Sequence, residues 1–226
     1  MNTVDKDSSL QCWSKLFAGL GNCGQLGLEL REKFAFLQDL GPLPNNVVNF
    51  GCSAKWNSLL GYEGGLEPFA LLWTLRVDKV VVVDIDKNSI DVLRKRVGEF
   101  KEKHPQCFEG CIDDFEYLAA DMTSAKAMSR LPPKHFELAY CSRVLLQIEH
   151  NDGLGGVRKA ITEMARVVKP DGWVVSHEAD ASQPYPTRYA DIFTEIGFGK
   201  PKILRRPESI CMPDLQIEYA IYKRLA

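Results

Sequence analysis

The sequence contains no run of about 18 or more consecutive apolar residues, which excludes a membrane-spanning helix. It has almost no net charge, since 28 Lys and Arg stand against 30 Asp and Glu. No strong field therefore favours nucleic acid or an anionic membrane, and neither is an expected partner. Met1 to Ser9 is polar with acidic members, unlike a signal peptide. Cysteine is present seven times, but in no spaced framework; the odd number, scattered largely over predicted strands and helices, fits a reducing cytoplasm. His104, Cys107 and Cys111 lie close together, yet a zinc site wants a fourth ligand and usually a Cys-x-x-Cys pair, so no metal is expected. What remains is one globular domain over residues 1–226, long enough for a single core.

The informative stretch runs from Val47 to Asp86. Val47-Val48-Asn49-Phe50 is a short apolar run closed by Gly51, as in a parallel strand buried on both faces. Gly51 stands where the backbone must turn sharply or let a ligand approach. Pro68 suits the first turn of a helix, where its missing N–H costs nothing, and Phe69, Leu71, Leu72 and Leu75 give that helix an apolar face. Val80 to Val83 then form a second strand, and Asp84 at its end is placed to accept both hydroxyls of a ribose. Alternating strands and helices indicate a doubly wound parallel sheet. A dinucleotide is disfavoured: no second glycine follows Gly51 at the required place, and Asp84 lies well beyond the ~20-residue spacing of that fingerprint.

Five segments in order resemble the class I S-adenosylmethionine-dependent methyltransferases. These are Phe50-Gly51-Cys52-Ser53, Val83-Asp84-Ile85-Asp86, Ala119-Ala120-Asp121-Met122, Phe136 to Leu145, and Ile161 to Trp173 with its Lys169-Pro170 turn. The resemblance covers roughly residues 47–178. It implies a Rossmann-like methyltransferase fold: α/β, with a doubly wound, mostly parallel seven-stranded sheet and N-terminal helices. It implies S-adenosyl-L-methionine as cofactor, with Gly51, Cys52, Ser53, Asp84, Ile85, Asp121, Met122 and Cys141 as its binding residues. In that set Gly51 gives backbone approach, Asp84 binds the ribose, Ile85 packs the adenine, and Asp121 with Met122 holds its far edge. Gly51-Cys52-Ser53 with the later Gly-x-Glu-Pro-Phe-x-Leu, and Tyr140 to Leu145, are similar to the catalytic domain of chemotaxis-receptor methyltransferases. The chain departs from that subgroup in the insertion Ala54 to Gly64, in a short N-terminal segment and in lacking an inserted β-subdomain. A receptor substrate is therefore not implied.

Taken in order, Ser8 or Ser9 caps a helix through Leu20, a second helix spans Leu26 to Leu40, and residues 1–44 form a lid over the cofactor mouth or a cover for a sheet edge. The insertion, with Lys55, Trp56 and Tyr62, is either a closing loop or a surface loop. Asn88 caps a helix to Lys103. Asp121 either bonds the adenine or caps the helix beginning near Thr123. Residues at the carboxyl end of the fourth strand, Phe136 to Ser142, face the reacting group. This makes Ser142, Arg143 and His177 the candidate substrate contacts, with Arg143 suited to a carboxylate. Glu149 and His150 are candidate bases or solvated residues before the Asn151-Asp152-Gly153 turn. A helix at Tyr189 to Ile196 stops at Gly197, and two strands near Lys202 to Arg205 and Gln216 to Lys223 form a closing hairpin.

The expectation is a cytoplasmic transferase that methylates a small-molecule acceptor. Methyl transfer from a sulfonium needs positioning more than a dedicated base, so no catalytic residue is assigned. The alternative is a non-catalytic cofactor-binding or partner subunit, motivated by Asn49 and the missing glycines.

Overall fold

The computed structural model describes residues 35–41, 44–52, 79–103, 115–178, 186–209 and 212–226. Outside them lie the first expected helix and most of the second, Ser53, the insertion, the helix after Pro68, the residues His104, Cys107 and Cys111, and most of the proline- and tyrosine-rich segment Ser182 to Arg188, which the sequence marks as a substrate loop.

Seven strands are present: β1 (Asn46–Phe50), β2 (Lys79–Asp84), β3 (Phe115–Ala119), β4 (Phe136–Ser142), β5 (Val168–His177), β6 (Lys202–Ser209) and β7 (Met212–Lys223). They form one sheet in the order β3-β2-β1-β4-β5-β7-β6. The first five are parallel neighbours, and β7 runs antiparallel to β5 and β6. The sheet is thus mixed and mostly parallel, with the expected hairpin at one edge.

Period-2 alternation explains why the central strands are apolar throughout. Val48, Phe50, Val81 and Val83 join one core cluster with Val157, Ile161 and Met164. Val47, Val80 and Val82, equally buried, point to the opposite face, which is covered by α1 (Lys87–Lys103) packing on β2 and β3. Full burial of each such valine is worth about 2 kcal/mol. The Lys169-Pro170 turn is absorbed into β5 as an irregularity. Phe136 pairs with Val168 but Leu138 with Trp173, and Asp171 takes a φ of +64°.

The cap of α1 differs from expectation. Asp86, not Asn88, does the work: its Oδ1 accepts the Asn88 N–H at 3.0 Å and its Oδ2 the Ser89 hydroxyl at 3.0 Å. Asn88 already lies inside the helix, whereas Asp86 precedes it and brings a negative charge to the positive end of the dipole. Among the described residues three further helices follow: α2 (Ala125–Met128), capped by Ser124, α3 (Val144–Val167) and α4 (Ala190–Glu195). In α3, Gly153 breaks the helical path at φ 67° and ψ −172°, where the expected turn falls. Gly197 ends the α4 segment at φ +102°. The end of the expected second helix is a 3-10 turn, Ala35–Leu40, whose Phe36 ring packs 5.1 Å from Tyr219. Among the described residues, no helix is long and apolar enough to cross a membrane.

Candidate functional site

The strand order reverses between β1 and β4, and an open parallel sheet leaves a crevice beyond its carboxyl edge at that point. A cavity of about 500 Å³ opens there, within the range that holds small ligands. One wall is Gly51, Asp84, Ile85, Asp121 and Met122; the other is Ser142, Arg143 and Val144 with Gln147, Ile148, Asn151 and Asp152.

Each wall is built by local chemistry. Gly51 has a φ of +75°, and a Cβ there would overlap the Val144 side chain. Its N–H donates to the Val83 carbonyl at 2.7 Å, which fixes the turn to β2. The Asp84 carboxylate ties the two strand ends together, accepting the Cys52 N–H at 2.9 Å and the Asp86 N–H at 2.8 Å. Asp84 is itself a cavity-lining residue, so the carboxylate stands at the carboxyl end of β2 facing the crevice. Ile85 is 73% exposed, the most exposed large hydrophobic residue among those described, and stands at the cavity rim. Asp121 Oδ1 accepts both the N–H and the hydroxyl of Thr123 at 2.8 Å. It shapes a turn ahead of α2 while its second oxygen carries none of these bonds, so the turn-forming and ligand-binding roles are compatible. These residues fit an adenosine-bearing ligand: an apolar rim beside an acidic strand end, and a turn with no room for a side chain.

On the other wall, Arg143 adopts a left-handed backbone conformation at φ 58°. A non-glycine residue there costs about 1–2 kcal/mol, and its N–H is held by the His177 carbonyl at 2.7 Å. Ser142 is paired with His177 in register. The His177 ring does not line the cavity: it is 4% exposed, its Nδ1 lies 3.2 Å from the Glu218 carbonyl, and it packs 5.4 Å from Tyr219. The reason is topological, since β5 stands one strand further from the reversal point than β4. Cys141 is fully buried in the core cluster, because it alternates with Ser142 and faces the other way. Cys52 is buried and reaches the site through its backbone N–H alone among the contacts named above. Glu149 and His150 are not cavity residues either. Glu149 accepts two bonds from Arg188 and one from Tyr189 at 2.7–3.0 Å, and these hold its carboxyl below the usual range.

Sequence reasoning pointed to Gln147 just after the fourth strand but missed two features. Ile148, Asn151 and Asp152 line the cavity with it because α3 begins at its edge; with Arg143, the four-residue spacing of Gln147 and Asn151 marks one helix face. Glu178, just beyond β5, is 3% exposed. Its carboxylate accepts the N–H groups of Leu145 at 3.3 Å and Leu146 at 3.0 Å and the Ser176 hydroxyl at 3.2 Å. Burial pushes its pKa up to about 7, against the opposing pull of those hydrogen bonds and of Arg143. The available signal was an acidic residue directly after an apolar strand. Asn49 is also fully buried; its amide donates to the Gly51 carbonyl at 3.2 Å, and its Oδ1 has no partner among the described residues.

A family model described as a methyltransferase domain matches residues 61–176, just over half of the chain. Among solved structures, the N-methyltransferase NodS from Bradyrhizobium japonicum WM9, in complex with S-adenosyl-L-homocysteine, is similar at a TM-score of 0.58 and 15% identity, with 96% of this chain and 98% of that one covered. An S-adenosylmethionine-dependent methyltransferase from Aquifex aeolicus is similar at 0.59 and 13%, covering 94% and 98%. The [4+2]-cyclase SpnF is similar at 0.55 and 12%, covering 86% and 79%. At such identities the likeness is one of fold, and the cyclase illustrates that this fold alone does not set the reaction. No curated protein sequence gives a significant match.

Proposed function

This chain belongs to the methyltransferase-domain family, and from that premise we propose that it is an S-adenosylmethionine-dependent methyltransferase, and propose which residues hold the cofactor and what the acceptor is. The carrying observation is that one cavity gathers Gly51, Asp84, Ile85, Asp121 and Met122 on one side and Ser142 and Arg143 on the other. Asp84, at the end of β2, takes the ribose hydroxyls. Ile85 and Met122 cover the adenine, and Asp121 accepts its amino group. Gly51 and the backbone of Cys52 border the methionine end; the expectation for Ser53 lies outside the described residues. When bound, the cofactor supplies a methyl group on a positively charged sulfur, which leaves as a neutral thioether.

The protein's part is to orient the acceptor and exclude water. Arg143 is suited to a carboxylate on the acceptor, and Ser142 supplies a short polar contact beside it. A small molecule is favoured as acceptor because the charges nearly cancel and the sequence has no basic stripe. The domain assignment is one methyltransferase unit over residues 1–226, with residues 1–44 as its extension.

Calorimetric titration of S-adenosylhomocysteine into the protein and into Asp84→Ala tests the cofactor set. The expected result is micromolar binding, about −8 kcal/mol, weakened at least about tenfold in the variant because charge-assisted hydrogen bonds are lost. Absence of binding to the unaltered protein would instead support the partner-subunit alternative, and equal binding to both would remove Asp84 from the site.

A further inference from the structure

We propose that Glu178 is a positioning residue for the cofactor cavity: its ionised carboxylate, buried behind the turn from β4 to α3, holds Ser142, Arg143 and Val144 against the glycine turn. This rests on the cofactor reading above and adds a residue that makes no contact with the cavity itself.

The geometry begins at the start of α3. Arg143 precedes the helix and makes no side-chain cap bond to it, so the amides of the second and third helical residues need another acceptor. Glu178 supplies it from 33 and 32 residues away, taking Leu145 N–H and Leu146 N–H on its two oxygens. The preceding residue of the same strand end takes the Arg143 N–H on the His177 carbonyl. Three successive donors of the turn, at Arg143, Leu145 and Leu146, are therefore held by two consecutive residues of β5's end. The residue between them, Val144, is the one that leaves no room for a Cβ on Gly51. A shift of the turn moves Val144 and the Arg143 backbone, and both line the cavity.

Ionisation matters because both carboxylate oxygens accept. Protonation turns one of those oxygens into a neutral hydroxyl, a weaker acceptor for an amide N–H than a charged carboxylate oxygen. Among the described residues, the charged and titratable groups facing Glu178 are Arg143 from the turn, Tyr189 ahead of α4 and Tyr222 from β7, with the Ser176 hydroxyl on its own strand. Arg143 is the cation of the set and favours the charged carboxylate, while the apolar surroundings oppose it. The two tendencies place the switch in the neutral range.

The test measures S-adenosylhomocysteine affinity by calorimetry between about pH 8 and about pH 6 for the unaltered protein, Glu178→Gln and Ser176→Ala. The unaltered protein should lose about tenfold in affinity over that interval as the carboxylate is protonated. Glu178→Gln should bind weakly at both ends, with no slope. Ser176→Ala removes a donor that stabilises the charged form, so its midpoint should move to higher pH. A fall that runs parallel in the unaltered protein and Glu178→Gln, or no slope in the unaltered protein, overturns the assignment. Should Glu178→Gln not fold, an unmoved midpoint in Ser176→Ala overturns it. Absence of binding to the unaltered protein at every pH overturns the cofactor reading itself and is distinct from those results.

Discussion

Gly51 meets two demands that no other residue type satisfies together. Its φ of +75° is a conformation that costs an L side chain about 1–2 kcal/mol, and the position of a Cβ is already taken by Val144. Gly51→Ala is therefore expected to destabilise the protein in urea unfolding and to abolish measurable S-adenosylhomocysteine binding. Adding Val144→Ala relieves the overlap and should recover part of the stability, by about 1 kcal/mol, while the conformational cost remains. Full recovery in the double variant would show that φ carries no penalty here. Gly51 and Asp84 were legible in the sequence because each ends an apolar strand, and the carboxyl ends of strands are where such sheets bind ligands. Glu178 was not, because its bonds reach α3 across 33 residues and no local pattern announces them.

The first two turns of α3 form one wall of the cavity, and their direction is set at both ends. Glu178 fixes the start; Gly153 sets the break from the remainder of the helix, which packs on the core through Val157, Ile161 and Met164. Midway, the bidentate Arg188–Glu149 pair and the Tyr189 hydroxyl strap this segment to the chain before α4. A φ of 67° with ψ of −172° is essentially a glycine conformation. Gly153→Ala should thus cost about 1–3 kcal/mol although a Cβ there meets nothing within 4 Å. Loss of S-adenosylhomocysteine affinity beyond that of an equally destabilised core variant would show that the break aims the wall; equal loss would make it a stability feature. The sequence located the turn at Asn151-Asp152-Gly153, but which residues of the preceding helix face the cavity depends on where that helix docks.

For the molecule as a whole, Glu178 and the paired carboxylates give opposite pH dependences. The folded-state pKa of Glu178 is raised from 4.5 to about 7. Its contribution to stability is fully present below about 4.5 and is lost as pH rises through about 7. Glu149, held down by Arg188 and Tyr189, and Glu137, half-buried but held down by Lys169 and the Asn46 N–H, contribute above the ordinary carboxylate range and are lost in acid. The unfolding free energy of the unaltered protein minus that of Glu178→Gln should accordingly grow as pH falls from about 8 to about 5. Urea unfolding across that range checks the sign, and a constant difference would show that the carboxyl titrates alike in both states. Acid thus strengthens the fold through the same proton that loosens the cofactor wall.

Sequence by itself determined the sheet. Buried parallel strands must be apolar on both faces, so Val47–Phe50, Val80–Val83 and Phe136–Ser142 announced themselves, and the glycine and carboxylates at their ends marked the cofactor edge. Tertiary structure decided which of the candidates share a cavity. Alternation along β4 sends Cys141 into the core and Ser142 to the site, and His177 lies one strand too far out, with its ring against Tyr219. The same docking of α3 against the end of β5 buries Glu178 and gives it two helix amides to hold. Those outcomes depend on distances between elements far apart in the chain, and periodicity within a segment carries no information about them.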